Sequence, residues 1–321
     1  HSNTVDVTLN GVTHPVDTGF LVFNHRTYPN LKALFEHHDV ATTASDMSFS
    51  VSFDDVDLEW AGTNVASVFA QKRNLVRPAF LRMLADIARF NRAATAITAG
   101  PTLDGQLELG DFLDRGGYSR AFREWYLLPM AGAIWSCPTA TMLRYPMATF
   151  ARFCANHGLL KITDRPQWRT VVGGSREYVK KLAATIPDIR LGTPVRFVDG
   201  DEGAVKVATD DGIETFDTAV LACHADQALE LLSRPTTLEV DVLRRLRYQP
   251  NRAVLHTDSS LLPRRRSTWA AWNYSAGAPA TDGRPVGVSY LLNKLQPLPF
   301  ADPVVVTLNP TREPRSNTGW S

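Results

Sequence analysis

WRTVVGGSREYVKKLAATIPDIRLGTPVRFVDG occupies residues 168–200, and its reading decides the fold. A strand-like WRTVV runs into Gly173-Gly174-Ser175, and an amphipathic helix starts directly after. A strand, a glycine turn and a helix bring backbone N–H groups close to whatever lies against the turn. Most Gly-Gly pairs are only turns, so the surroundings carry the weight. IRLGTPVRFVDG (189–200), GAVKVATDDG (203–212) and IETFDTAVLACHA (213–225) read as strand pieces separated by Gly and Asp turns. HADQALELL (224–232) then restarts a helix.

Upstream, TVDVTL-NG-VTHPVD (4–17) alternates on both sides of Asn10-Gly11, a dipeptide suited to the positive φ angles of a type I′ hairpin turn. YPNLKALFEHHDV (28–40) has helical spacing at Leu31, Leu34 and Phe35, with Pro29 in its first turn. MSFSVSFDDVDLEWAG (47–62) reads as a second hairpin. Residues 65–160 repeat apolar positions at helical spacing, with prolines at 78, 101, 129, 138 and 146 as punctuation. Strands resume at 252–258, 267–274, 287–292 and 303–308, and the polar tail 311–321 is expected to be disordered. The fold class is therefore an α/β mixture. Segments of two characters interleave, so two domains built from discontinuous pieces are expected.

Composition narrows the function. The 321 residues are 44% hydrophobic and 21% charged, with a net charge of +1, which gives no electrostatic case for nucleic acid. Arg264, Arg265 and Arg266 read as a solvated turn. Cys137, Cys154 and Cys223 are odd in number and far apart, so they read as inert fillers rather than a disulfide or metal framework. No apolar run reaches the ~18 residues of a membrane span and no signal peptide is visible, giving a soluble, cytoplasmic expectation.

PVDTGFLVF (15–23) contains the Asp-Thr-Gly of an aspartic protease, but no second copy exists to form the paired carboxylates that chemistry needs. Asp17 reads instead as a hairpin-terminal residue satisfying local backbone N–H groups. Trp125, Tyr126, Trp135, Phe150 and Phe153 fall at core spacing, with an apolar cavity as the second reading. His157 and His256 are candidates for a pocket wall, His37 and His38 are solvated, and His224 either caps a helix or approaches a cofactor.

The pattern from 168 to 232 resembles the flavin-containing amine oxidase superfamily of monoamine oxidases, protoporphyrinogen oxidase and carotenoid desaturases. The chain is most similar to a bacterial branch of FAD/NAD-binding oxidoreductases. VDTGFLVFNHRTYPNL (16–31), LPMAGAIWSCP (128–138), NHGLLKITDRPQWRTVVGGSREYV (156–179), WNY (272–274) and NKLQPLP (293–299) carry that resemblance in the family's order. It implies a partial FAD/NAD(P)-binding Rossmann-like domain at 1–42 and 168–245. A substrate domain of helices on a mixed sheet is implied at 43–167 and 246–310.

The resemblance also implies residue roles. The backbone of Val195 would bond the FAD adenine, and Thr18, Gly19 and Phe20 would lie against the flavin end. Gly173 and Gly174 would form the cofactor turn, and Ala222 and Cys223 the close of a strand near it. His1 stands where the family has an Arg after Gly-Gly. The family's first strand, G-x-G-x-x-G and helix are not found, nor is its C-terminal cofactor segment, so the chain reads as the family's middle and is expected to bind FAD weakly alone. Thr257 falls near the place of the amine oxidases' lysine. His256, Thr257, Trp272 and Tyr274 are therefore pocket candidates for a substrate other than a polar amine. The implied reaction is hydride removal from a C–N or C–C bond of an apolar small molecule such as a lipid or isoprenoid, with peripheral membrane contact an open question. A desaturase or isomerase on the same fold, and a fragment without enzymatic activity, are the alternatives. Asp17→Asn is expected to leave activity unchanged, and Gly19→Val to cost flavin retention.

Overall fold

Asn10 and Gly11 both take positive φ, 51° and 79°, and join the antiparallel strands Thr4–Leu9 and Val12–Asp17 as the dipeptide predicts. In the computed structural model, residues 2–100, 107–136, 138–161, 164–201, 203–248, 250–276, 287–310 and 312–315 are described. His1, Cys137 and most of the tail from 311 onward lie outside them. Residues 1–182 with 251–321 form one unit, and 183–250 a second.

The first unit is organised on a mixed six-stranded sheet. Its strand order is Ala253–His256, Val305–Leu308, Val288–Leu291, Trp272–Ala276, Phe49–Phe53 and Leu58–Ala61. Every pairing is antiparallel except Trp272–Ala276 against Phe49–Phe53. Asp57, at positive φ, helps close the hairpin 49–61. One face carries the larger core, where Val51, Phe53 and Tyr274 meet Phe80, Met83, Phe90, Phe122 and Phe150. These come from the helices Pro78–Ala99 and Met147–Asn156 and the turn at Arg120–Phe122, whose apolar residues recur every three or four positions. The N-terminal hairpin contributes Val7 and Val16 to a second core with Ala271, Leu292, Leu295, Val304 and Val306. A small antiparallel sheet of Phe23–Asn24, Trp168–Val171 and Thr42–Ala44 completes the unit's sheets.

The helix pair built from 120–135 contains a π turn at Arg123–Leu127, and the cause is local. Pro129 has no N–H, so Trp125 O loses its partner four residues on. The Leu128 N–H reaches back to Arg123 O instead, and the indole Nε1–H of Trp60 donates to Trp125 O at 3.3 Å. Such turns re-aim side chains, and Tyr126 is among the residues within this one.

Arg264 and Arg265 correct the expectation of a plain solvated turn. Glu59 has no exposed surface and accepts the Arg264 N–H at 2.7 Å, the Arg265 N–H at 3.3 Å and Arg265 Nη1 at 2.7 Å. Only Arg266 stays outside this cluster, its guanidinium lying over Trp269 at 5.2 Å.

In the second unit, Phe197–Asp201, Ala204–Thr209 and Gly212–Phe216 form an antiparallel meander. The helix Ala225–Leu231 follows. His224 is its N-cap, with its N–H given to Gln227 Oε1 at 3.3 Å and its ring stacked on Tyr248. Of the strand pieces expected over 189–200 and 213–225, only the parts in Phe197–Asp201 and Gly212–Phe216 form, and 189–196 and the apolar run 218–222 are irregular. Among the described residues, only the last of the first irregular segment reaches a strand, the Arg196 N–H donating to Ala208 O at 2.7 Å, and Leu191 and Val220 are 88% and 87% exposed. Cys223 is exposed too, whereas Cys154 is a buried filler whose thiol is pushed up to about 12 by burial.

Candidate functional site

The segment after the first hairpin is held by one carboxylate. Asp17, 1% exposed, accepts Ser175 N–H on both oxygens at 2.9 Å and the Ser175 hydroxyl at 3.0 Å. It also accepts the Thr4 hydroxyl at 2.5 Å and Gln296 Nε2 at 3.0 Å, while its own N–H donates to Gln296 Oε1. The Gly-Gly turn exists to allow this approach. Gly174 has φ +86°, and a Cβ there would sit 2.7 Å from Thr4 Cγ2 and 3.0 Å from Asp17 Oδ1. The anion at the start of the helix Arg176–Ala183 is thus the protein's own Asp17. This replaces the local role expected for that carboxylate.

From Asp17 the chain runs through Thr18–Val22. Asn3 fixes Thr18 through a backbone bond of 2.9 Å and a side-chain bond of 2.7 Å. The Thr170 hydroxyl holds Leu21 O at 2.9 Å. Gly19 is exposed and is not among the positive-φ glycines, so what it contributes is the absence of a side chain.

Thr18, Gly19, Phe20, Leu21 and Val22 form one wall of a cavity of about 360 Å³, closed by Tyr28, Phe153, Trp168, Trp272, Tyr290, Val306 and Leu308. Beside it lies a chamber of about 320 Å³ lined by Phe49, Trp60, Tyr126, Met130 and polar residues including Asp46, Arg165 and Gln167. Met47, Ile134, His157, Leu159, Trp168 and Trp272 line both. We call them the inner and outer chambers. The pocket candidate Trp272 and the expected flavin-facing residues Thr18, Gly19 and Phe20 therefore share a wall.

Two ring contacts hold the walls in place. His157 stacks on Phe153 at 4.0 Å and donates Nδ1–H to Phe153 O at 3.0 Å, which leaves Nε2 without a hydrogen bond among the described residues. Trp272 packs edge-on to Tyr290 at 4.9 Å, and its Nε1–H makes no hydrogen bond among the described residues. Burial raises the phenols of Tyr28 and Tyr290 above their ordinary value. Tyr126 is pushed up to about 12, chiefly by burial, with the positive charge of Arg165 acting in the other direction.

The other candidates lie elsewhere. His256 is buried in a directed chain: Nδ1 accepts the Asp258 N–H at 3.1 Å, and Nε2–H donates to Thr307 Oγ1 at 2.8 Å. Thr307 then reaches Ser289 Oγ at 2.8 Å, and Ser289 donates to Leu261 O at 3.2 Å. Burial lowers the His256 pKa, against the opposing charge of Asp258, in keeping with a neutral structural imidazole. Thr257 follows that strand, half-buried, and lines neither chamber. Tyr274 packs on Phe53 in the main core, its phenol raised to about 12 by burial. Val195, Ala222 and Cys223 lie in irregular, exposed segments of the second unit. Sequence reasoning did not single out Met47, Trp60, Trp168, Tyr290 or Arg165. The placement of Trp60 and Trp168 at the ends of strand patterns was the available signal.

No curated protein matches the chain by sequence. Its fold is shared with wild-type putrescine oxidase bound to putrescine, at TM-score 0.61 and 12% identity over 95% of this chain and 66% of that one. A CLA-producing fatty acid isomerase from P. acnes gives 0.62 and 12%, over 98% and 70%. Cyclohexylamine oxidase from Brevibacterium oxydans IH-35A gives 0.59 and 12%, over 92% and 64%. The chain thus spans just under two thirds of the putrescine oxidase. The sequence profile of flavin containing amine oxidoreductases matches residues 2–268, which include Asp17, the Gly-Gly turn, the Thr18–Val22 wall and all of the outer chamber's lining but Trp272. By that match, the chain belongs to the flavin-containing amine oxidoreductase family.

Proposed function

We propose that the protein serves an FAD-dependent oxidoreductase that removes a hydride from a C–N or C–C bond of an apolar small molecule. The observation carrying this reading is the shared wall: Thr18–Val22 bounds an apolar inner chamber that continues into a second one through Trp168 and Trp272. The residues fit a flat, largely apolar ring system, since the inner walls are aromatic and aliphatic and Trp272 Nε1–H is an orphaned donor beside them. Bound flavin would supply a two-electron acceptor for the hydride. The chain's own contribution is position and dryness. Thr18, Gly19 and Phe20 set one side, Trp168 and Trp272 exclude water, and His157 offers Nε2 where the chambers meet.

We assign residues 1–42 and 168–245 to the cofactor and 43–167 and 246–310 to the substrate. Gly174 acts through the Asp17 hub, with Gly173, at φ +81°, forming the turn that precedes it. In the second unit the Val195 backbone takes the adenine end, with Ala222 and Cys223 beside it. The partner is a small molecule of lipid or isoprenoid kind, met in the cytoplasm. A second reading, an isomerase without net oxidation, draws support from the apolar outer chamber. Loss of the flavin's colour under substrate without oxygen separates the two.

Gly19→Val tests the placement. Gly19 is not among the positive-φ glycines, and a side chain added at this wall position is expected to take up room in the inner chamber. The natural polypeptide carrying it is expected to purify with under about a tenth of the wild-type flavin per chain, a loss of over 1.4 kcal/mol in binding. Unchanged flavin content would sink the assignment.

A further inference from the structure

We propose that the outer chamber takes an apolar acid whose carboxylate is held by Arg165, in preference to an ammonium ion. This rests on the outer chamber being the substrate site, and it adds the charge of the head group. The walls suit a hydrocarbon body, with Met47, Trp60, Met130, Ile134 and Leu159 facing the space.

The charged groups at the rim point one way. Asp46, the only carboxylate among the described lining residues, is already committed, accepting the Ser48 N–H at 2.7 Å and lying 3.4 Å from Lys294 Nζ. An ammonium head would therefore find no free counter-charge there. Arg165 is the reverse case. Its Nε–H donates to Lys161 O at 2.7 Å, and no carboxylate among the described residues pairs with its guanidinium. The neighbouring Asp164 is taken by Lys161 at 2.7 Å and Arg26 at 3.4 Å. The two remaining guanidinium nitrogens form the fork that fits a carboxylate. Arg165 is exposed, so the pairing is at the mouth, screened by salt, and decides selection more than total affinity.

Tryptophans 60, 168 and 272 line the chamber and supply the readout. Laurate, dodecanol and dodecylammonium, each below its micellar concentration, are titrated against the natural polypeptide by tryptophan fluorescence. Laurate is expected to bind about tenfold tighter than dodecylammonium, with an affinity that falls as salt rises. Arg165→Gln should weaken laurate about tenfold and leave dodecanol within about twofold, and Arg165→Lys should restore part of the loss. Equal or tighter binding of dodecylammonium, no shift on Arg165→Gln, or no binding of any of the three would overturn the proposal. Flavin content is read separately, so laurate selectivity in a protein that never holds flavin would uphold this inference and refute only the oxidoreductase reading.

Discussion

Replacing Asp17 by Asn is expected to destabilise the first unit by about 2–4 kcal/mol, and replacing it by Ala by about 4. The carboxylate gathers donors from three directions: Thr4 on the hairpin, Ser175 at a helix start and Gln296 after the helix Leu292–Leu295. An amide cannot substitute, because its N–H₂ must face either the Ser175 N–H or Gln296 Nε2. Rotating Gln296 to help would cost the bond its Oε1 accepts from the Asp17 N–H. Charge at the helix start is lost as well. Thermal unfolding followed by circular dichroism measures the effect. The same variant should lose flavin, since Thr18–Val22 hangs from this residue. An Asp17→Asn protein as stable as wild type would show that the hub is ornamental and return the residue to the neutral role its sequence suggests.

Glu59→Ala is the second large effect, about 3 kcal/mol by the same measurement. The substitution strands two backbone N–H groups, of Arg264 and Arg265, under the edge strand Leu58–Ala61. The guanidinium groups themselves can turn to water, which keeps the loss below that of a fully buried pair. The same carboxylate sets an acid limit. Burial alone would raise the Glu59 pKa, but the bonds from Arg265 and the Arg264 backbone outweigh it and hold it low. Asp86 is lowered likewise by the hydroxyl and N–H of Ser119 and by Arg89 and Arg82, against its burial. Asp258 falls to about 2, where the Arg315 N–H, Ser260 and Arg312 overcome burial.

A depressed carboxyl pKa contributes stability above the unfolded value of about 4 and loses it as pH falls toward the folded one. The neutral His256 adds a loss that starts higher, below about 6.5, because only the unfolded imidazole takes up a proton there. Stability should therefore decline gently below about pH 6.5 and steeply between about 4 and 2. Glu59→Gln should flatten part of the steep limb. An identical acid profile in that variant would remove Glu59 from the account.

What the sequence revealed was whatever is fixed by neighbours in the chain. Asn10-Gly11 dictates its hairpin, Pro29 starts its helix, and the helical run from 65 to 160 shows its period. The family signature lay in short phrases whose order could be read directly. The hub could not be read, because Asp17 meets Ser175 across 158 residues and Glu59 meets Arg264 across 205. Both acids sit in strand patterns that look ordinary. Tyr126 was legible as an aromatic at helical spacing, but its place in the chamber wall depends on a π turn opened by Pro129. The apolar run at 218–222 misled for the opposite reason. Its composition suits a strand, and a strand forms only where a neighbour offers its backbone.

The most direct test is electron density from crystals of the natural polypeptide grown with FAD. The account predicts the ring system in the inner chamber, with Thr18–Val22 on one side and Trp168 and Trp272 among the groups closing it. Density for the ring elsewhere, with that chamber holding only solvent, would contradict it.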